Sequence, residues 1–261
     1  MTQFTMPVTT HMSAPVRTIA PDAPIGEAYN VLREYKFSGL AVTEGASRLV
    51  GVLSRTDLLH VGRVTAAGKG RRGPALDLPQ KPVRDVMKTS VVRVAPESSV
   101  AEAAGLMVAN RIHRVFVEEA GSLKGVISTK DIMVAIGETR VRRPISDYMS
   151  TPILTIRTTD TLKTAVDRLD EAHISGFVVL DEDEAPAGVF TQTEALQARG
   201  LPPSTLVEDV MSYAIICMHV STPIFRAAAQ GAATSARRVI AVEDRKIWGI
   251  LTGIDFARAT L

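Results

Sequence analysis

The sequence of 261 residues holds a single cysteine, Cys217. It can form no intramolecular disulfide and no cysteine cluster for a metal. A lone cysteine in an apolar stretch reads as a small core residue of a strand. Long apolar runs are missing as well. No stretch approaches the roughly 18 apolar residues that mark a membrane-spanning helix. The first thirty residues lack a basic stretch followed by an apolar one, so no signal peptide is expected and a cytoplasmic location follows. A strong charge of one sign is also absent: the net charge is +2, too small to indicate a nucleic-acid partner by itself. The five histidines, His11, His60, His113, His173 and His219, are scattered and form no metal-type pair. Neither a GxSxG elbow nor a Walker A loop is present. Catalytic residues, a metal centre and a prosthetic group are therefore not expected. What remains, 46% apolar and 22% charged residues, is an ordinary globular composition.

What the chain has instead is repetition. One short pattern occurs four times: GVLSRTD at 51–57, GVISTKD at 125–131, GVFTQTE at 188–194 and GILTGID at 249–255. The apolar pair reads as the end of a buried strand. The S/T-x-x-D/E step is a helix start, with the hydroxyl at the N-cap and the acid at the third helical position. The glycines lie 74, 63 and 61 residues apart, so the unit is near sixty residues. Units of that size have marginal cores and should pack in pairs.

A methionine opens each copy: Met12, Met87, Met149 and Met211. Three follow a short acidic run, VRDVM, ISDYM and VEDVM; the first copy has VTTHM. From there the copies align without a gap through a helical face. Ile25, Ala28, Tyr29 and Leu32 fill the i, i+3, i+4, i+7 positions of the first, and Ile224, Ala227, Ala228 and Gly231 those of the last. Gly231 should weaken its helix by roughly 1 kcal/mol relative to Ala. Near-continuous apolar strands follow at 40–42, 115–117, 177–180 and 239–242, a pattern that calls for burial on both faces. Each repeat is thus expected to be β-α-β-β-α, an α/β unit with one face needing a partner. The repeats span 8–62, 83–138, 145–199 and 207–260. Between the first two, residues 63–82 carry Arg63, Lys69, Arg71 and Arg72 among glycines and read as a flexible basic linker.

These features resemble the cystathionine-β-synthase (CBS) domain family. The V-x-D-V-M run, the strand and helix order and the G-h-h-S/T-x-x-D ending match it in register, from about residue 8 to residue 260. The resemblance implies four repeats joined into two pseudo-twofold modules, stacked as a flat four-lobed disc or dimerised with a second chain. It implies a sensor without catalysis whose clefts bind an adenosine ligand: AMP, ADP, ATP or S-adenosylmethionine. By the family's pattern, Asp57, Asp131 and Asp255 would hold ribose hydroxyls, with Ser54, Ser128 and Thr252 near ribose or phosphate. His113 and Arg114, in RIHRVFV, would contact phosphate, and Arg237 and Arg238 hold the same places in the fourth copy. The first and third copies have Ser-Gly there. Glu194 departs from the pattern, so Thr191 and Glu194 mark at most a weak site, with Asp255 the stronger site of its module. A homodimer and a separate effector protein are the implied partners. The alternative is a CBS protein that binds nucleic acid or a protein through the basic 63–72 loop, with no functional nucleotide site; a solvated linker is the plainer reading of that loop, and nucleic acid is not the expected partner.

Overall fold

A computed structural model describes residues 4–45, 47–65, 75–172, 176–234, 236, 238–244 and 246–261. The first repeat comprises β1 (Thr18–Ile19), α1 (Ile25–Glu34), β2 (Gly39–Glu44), β3 (Arg48–Ser54) and α2 (Arg55–Val61). A two-stranded hairpin follows, β4 (Arg63–Thr65) with β5 (Ala75–Asp77). The second repeat has β6 (Arg93–Val94), α3 (Val100–Asn110), β7 (Arg114–Glu119), β8 (Ser122–Ser128) and α4 (Thr129–Thr139). The third has β9 (Thr155–Arg157), α5 (Leu162–Ala172), β10 (Gly176–Leu180), β11 (Pro186–Thr191) and α6 (Gln192–Ala198). The fourth has β12 (Ile216–His219), α7 (Ile224–Thr234), β13 (Arg238–Glu243), β14 (Lys246–Thr252) and α8 (Gly253–Arg258).

The expected β-α-β-β-α order is therefore present four times. In each repeat the first strand pairs parallel with the second, and the second antiparallel with the third. Among the described residues no sheet spans two repeats. The helical faces read from the spacing are the buried ones: Ile25, Ala28 and Leu32 on α1, and Ile224, Ala227, Ala228 and Gly231 on α7. The continuous apolar strands are covered on both sides, as β2 illustrates. Leu40 and Val42 join the first repeat's own core, while Ala41 meets Phe116 of β7 in a seam between two sheets.

The segment that opens each repeat packs on the other repeat of its pair. Val8 lies in the core of the second repeat beside Val94 and Val100, and Val83 in that of the first beside Ile19 and Ile25. Likewise Ile145 packs with Ile224, and Val207 with Ile156. Backbone bridges seal the exchange: Ser13 with Val126, Lys88 with Val52, Ser150 with Ile250, Ser212 with Val189. The recurring methionine and the recurring glycine turn out to be two halves of one contact. A Cβ on Gly125 would lie 2.3 Å from Met12 Sδ, on Gly51 2.6 Å from Met87 Sδ, and on Gly249 2.3 Å from Met149 Sδ. On Gly188 it would lie 3.0 Å from Met211 Sδ and 2.6 Å from the Ser212 carbonyl oxygen. Only glycine lets the partner's methionine cross the strand so closely.

The two modules pack unevenly. Repeat 2 meets repeat 4 through α4 against α7 and α8, and α3 against α8, forming one shared core. Gly231 has its place here. A Cβ on it would come within 2.2 Å of Met133 Cε, so the gap in α7 receives a side chain of α4. Repeats 1 and 3 touch more lightly, through α2 and α6, where Arg199 Nη1 donates to the His60 carbonyl at 3.3 Å.

Two expectations change. Cys217 is exposed, not a core residue: β12 is the outer strand of its sheet, and its alternation turns Ile216 and Met218 toward the core and Cys217 outward. The linker carries strands at both flanks, with Arg63 opposite Asp77 and Thr65 opposite Ala75. Val64 and Thr65 are β-branched and suit a strand. Lys69, Arg71 and Arg72 lie outside the described residues.

Candidate functional site

The same strand-to-helix turn is built four times, with the acid at the third helical position bonded back to the cap. Ser54 N donates to Asp57 Oδ2 at 2.8 Å, Ser128 N to Asp131 Oδ2 at 2.7 Å, Thr191 N to Glu194 Oε2 at 3.0 Å and Thr252 N to Asp255 Oδ2 at 2.7 Å. The hydroxyls of Ser54, Ser128, Thr191 and Thr252 donate to the same oxygens. The longer Glu194 still closes its capping box. One oxygen of each acid is thus occupied by the fold.

The other oxygen separates the copies. Asp57 Oδ1 is held by Lys88 Nζ at 3.1 Å. Asp255, 2% exposed, accepts at Oδ1 from Ser150 Oγ at 2.8 Å and from Arg258 Nη1 at 2.9 Å. Asp131 Oδ1 and Glu194 Oε1 accept from no described residue. Val134 stands where Arg258 would be, and Ser13 where Lys88 would be. Burial is the largest influence on the Asp131 carboxyl and raises its pKa above the ordinary 3.8. The hydrogen bonds from Ser128 and the charge of Lys130 act against that rise.

Asp131 faces a cavity of about 460 Å³ in the first module. The first repeat supplies one wall, with Ser13, Arg17, Tyr35, Lys36, Phe37 and Ser38. The second supplies His113 and Arg114 at the head of β7, and Ser128, Lys130 and Asp131 at the head of α4. Gly231, Ala236 and Gly253 of the fourth repeat close the far side, so the second module borders the cavity too. Arg114 donates to Ser38 Oγ, and its guanidinium lies over Gly39, where a Cβ would come within 2.5 Å of Nη1. The Ser-Gly of the first repeat therefore seats the basic residue of the second. Tyr35 stacks on Phe37 with centroids 5.7 Å apart, and Arg17 Cζ stands 3.8 Å over the Tyr35 ring.

Of the other predicted site residues, Arg238 begins β13 opposite Thr252 and is not among the residues that line this cavity. Arg237 lies outside the described residues. Among the described residues no cluster of His, Cys, Asp and Glu could hold a metal, and no helix is long and apolar enough to cross a membrane.

The family model described as "CBS domain" matches residues 8–63, 83–138 and 145–200. The chain belongs to the CBS domain family. The model leaves out the fourth CBS repeat, which nonetheless folds with the same element order. Over 123 residues the chain is 30% identical to the CBS domain-containing protein YhcV of Bacillus subtilis, covering 47% of this chain and 80% of that protein. It is 34% identical over 119 residues to inosine-5'-monophosphate dehydrogenase of Methanocaldococcus jannaschii, covering 45% of this chain. That match spans about a fifth of the dehydrogenase, 21% of its length. Among solved structures, protein MJ1225 from Methanocaldococcus jannaschii aligns over 98% of this chain and all of its own, at a TM-score of 0.75 and 16% identity. An uncharacterized conserved protein from Pyrococcus horikoshii aligns over the same share at 0.69 and 18%. At these identities the structures speak for the fold, four CBS repeats in two pairs.

Sequence reasoning passed over Arg17, Tyr35, Phe37 and Lys130 at the cavity, and Lys88, Ser150 and Arg258 on the acids. Lys130 was visible as a variable position inside the repeated motif. Lys88 and Ser150 each directly follow an aligned methionine, and a comparison of that position across the copies would have found them.

Proposed function

We propose that this CBS protein is a non-catalytic, cytoplasmic regulatory sensor. It binds an adenosine-containing ligand in the cleft of its first module and reports occupancy to a separate effector protein. The observation that carries this reading is Asp131 at an open cavity, its second carboxylate oxygen accepting from no described residue, with Arg114 and His113 on the same wall. An ionised Asp can accept two hydrogen bonds from a vicinal diol such as that of ribose. A cavity of about 460 Å³ lies within the range of small-molecule sites. Arg114, seated over Gly39, and His113 stand where phosphate would lie. Asp57 and Asp255, each engaged at both oxygens, have first to give up Lys88, or Ser150 and Arg258, and are the weaker ribose acceptors in this proposal. Cleft occupancy would be felt by the second module, because the fourth repeat borders the cavity. Homodimerisation through the outer faces belongs to the same proposal.

A thermal-shift panel of AMP, ADP, ATP and S-adenosylmethionine at millimolar concentration tests it. A ligand at a hundred times its dissociation constant adds about 2.7 kcal/mol of stability. Asp131→Ala should remove most of the shift, since a hydrogen bond to a charged group contributes roughly 1.5–3 kcal/mol. Asp57→Ala and Asp255→Ala should leave it largely in place. No shift with any of these compounds, or a full shift in Asp131→Ala, sinks the reading.

A further inference from the structure

The charges around the cavity carry the reading one step further. Arg17, Lys36, Arg114 and Lys130 line it against Asp131, the single carboxylate among the described lining residues. Those cations come from separate parts of the chain: the opening segment of repeat 1, the turn after α1, the head of β7 and the first turn of α4. Two of them have their guanidinium held by neighbours, Arg17 over the Tyr35 ring and Arg114 by Ser38 Oγ. The first turn of α4, an 11-residue helix, also presents backbone N–H groups and the positive end of its dipole to the same space. A sulfonium ligand would bring a further positive charge among these groups, whereas a phosphate would be met by several donors.

The second module shows which cations are particular to this cleft. Counted from the opening methionines, Leu154 takes the place of Arg17 and Ile254 that of Lys130, while Arg238 and Asp255 repeat Arg114 and Asp131. The parts shared by both modules are thus the acid with its hydroxyl cap and a basic pair, His113 with Arg114 or Arg237 with Arg238. Arg17 and Lys130 are added in the first module alone.

Building on the proposed adenosine site, we infer that Arg17 and Lys130 are its specificity-determining residues and select a phosphate-bearing adenosine ligand, a nucleotide, over a sulfonium or an uncharged one. Both residues line the cavity, one from each repeat, so each adds a charge-assisted contact that adenosine alone cannot use. The residues found in the second module are natural replacements, because the same fold already accommodates them.

Calorimetry on the full chain with AMP, ADP, adenosine and S-adenosylmethionine, repeated on Arg17→Leu and Lys130→Ile, decides the matter. The unliganded melting temperature reports whether each variant folds. AMP and ADP should bind the wild type at least about tenfold more tightly than adenosine or S-adenosylmethionine, the size expected for one charge-assisted hydrogen bond. Each substitution should weaken nucleotide binding about tenfold and leave adenosine binding unchanged. Raising the salt concentration should weaken the nucleotide and not adenosine. Equal or tighter binding of S-adenosylmethionine overturns the inference while the adenosine site stands. So does an equal loss for adenosine and AMP in the folded variants. If none of the four compounds binds, the adenosine site itself falls.

Discussion

The two modules have the same trace and the same motif at every helix start, yet the described cavity, with Asp131 among several cations, lies in the first. In the first, Asp131 has Val134 in place of Arg258, and its Oδ1 accepts from no described residue. In the second, Arg258 and Ser150 close on Asp255 and leave it 2% exposed. Across the shared core, α4 carries the acid of the first cleft on one end and packs on α7 of the second module along its length. In the proposed reading the first module takes up the ligand, and the second, whose fourth repeat borders the cavity, is placed to feel it. A repeated motif therefore fixes the backbone turn, and the residues that reach it from elsewhere decide what the turn is for.

The coupling in that comparison is the part most easily broken. Met133 is 3% exposed and fills the gap above Gly231. Met133→Ala should cost about 2–5 kcal/mol, the range for truncating a buried methionine. Arg199→Ala, at the lighter contact between repeats 1 and 3, should cost about 1 kcal/mol or less. Denaturant midpoints measure both. Equal losses would mean that the modules are held evenly rather than through repeats 2 and 4.

A smaller effect separates the methionine and glycine locks. At Gly125 the nearest atoms to an added Cβ belong to the Met12 side chain, which can swing away. At Gly188 the nearest is the Ser212 carbonyl oxygen at 2.6 Å, held in a ladder with Val189. Overpacking costs about 1–3 kcal/mol. Gly188→Ala should lie at the top of that range and Gly125→Ala at the bottom. Thermal unfolding of the two variants ranks them, and the reverse order would show that the methionine is the stiffer partner.

The β-α-β-β-α order was legible in the sequence because each element left a periodic mark. Ile25, Ala28 and Leu32 repeat at helical spacing, and residues 40–42 run apolar without a break. The exchange of opening segments was not legible. Met12 and Gly125 are 113 positions apart by number, and nothing local joins them. Gly231 looked like a cost for the same reason, since the side chain that fits it, Met133, belongs to another helix. At the candidate site the acids could be listed but not ranked. The motif is the same around Asp57, Asp131 and Asp255, and Lys88, Ser150 and Arg258 lie outside it.

Matched glycines sharpen the contrast between the clefts. Gly39 and Gly176 hold the same position in repeats 1 and 3. A Cβ on Gly39 first meets the flexible end of Arg114, with the Leu53 carbonyl oxygen at 3.2 Å, whereas on Gly176 it meets Thr191 Cγ2 at 2.7 Å and the Phe190 carbonyl oxygen at 2.9 Å. Gly39→Ala should displace the guanidinium, weaken nucleotide binding severalfold and cost under about 1 kcal/mol of stability, since the side chain gives way. Gly176→Ala should destabilise by about 1 kcal/mol or more and leave binding in the first cleft unchanged. Calorimetry with AMP alongside thermal unfolding reads both quantities. A binding loss confined to Gly176→Ala would assign the ligand to the wrong module.

The subtlest effect follows from the protonation of Asp131. Its folded-state pKa is raised above the ordinary 3.8, chiefly by burial. The folded protein therefore holds this proton more tightly than the unfolded chain does. In the window just above the ordinary value, the unfolded state binds fewer protons, so this group makes stability fall as the pH rises. Below the ordinary value both states are protonated and the penalty vanishes; above the raised value it is fully present. Arg17, Lys36, His113, Arg114 and Lys130 face the same cavity, and the charge of Lys130 tempers the penalty. A ribose diol donates to the ionised form, so ligand affinity should rise with pH through the same window. Asp131→Asn removes the titration while keeping an oxygen for the Ser128 N–H. Measured by urea unfolding at several pH values, the stability of the wild type relative to Asp131→Asn should decline as the pH passes upward through the window. The affinity for AMP should show the opposite trend in the wild type and little trend in the variant. A stability difference independent of pH, or one that grows with pH, would mean that burial does not raise the Asp131 pKa, and the contrast between the two clefts would then rest on Arg17 and Lys130 alone.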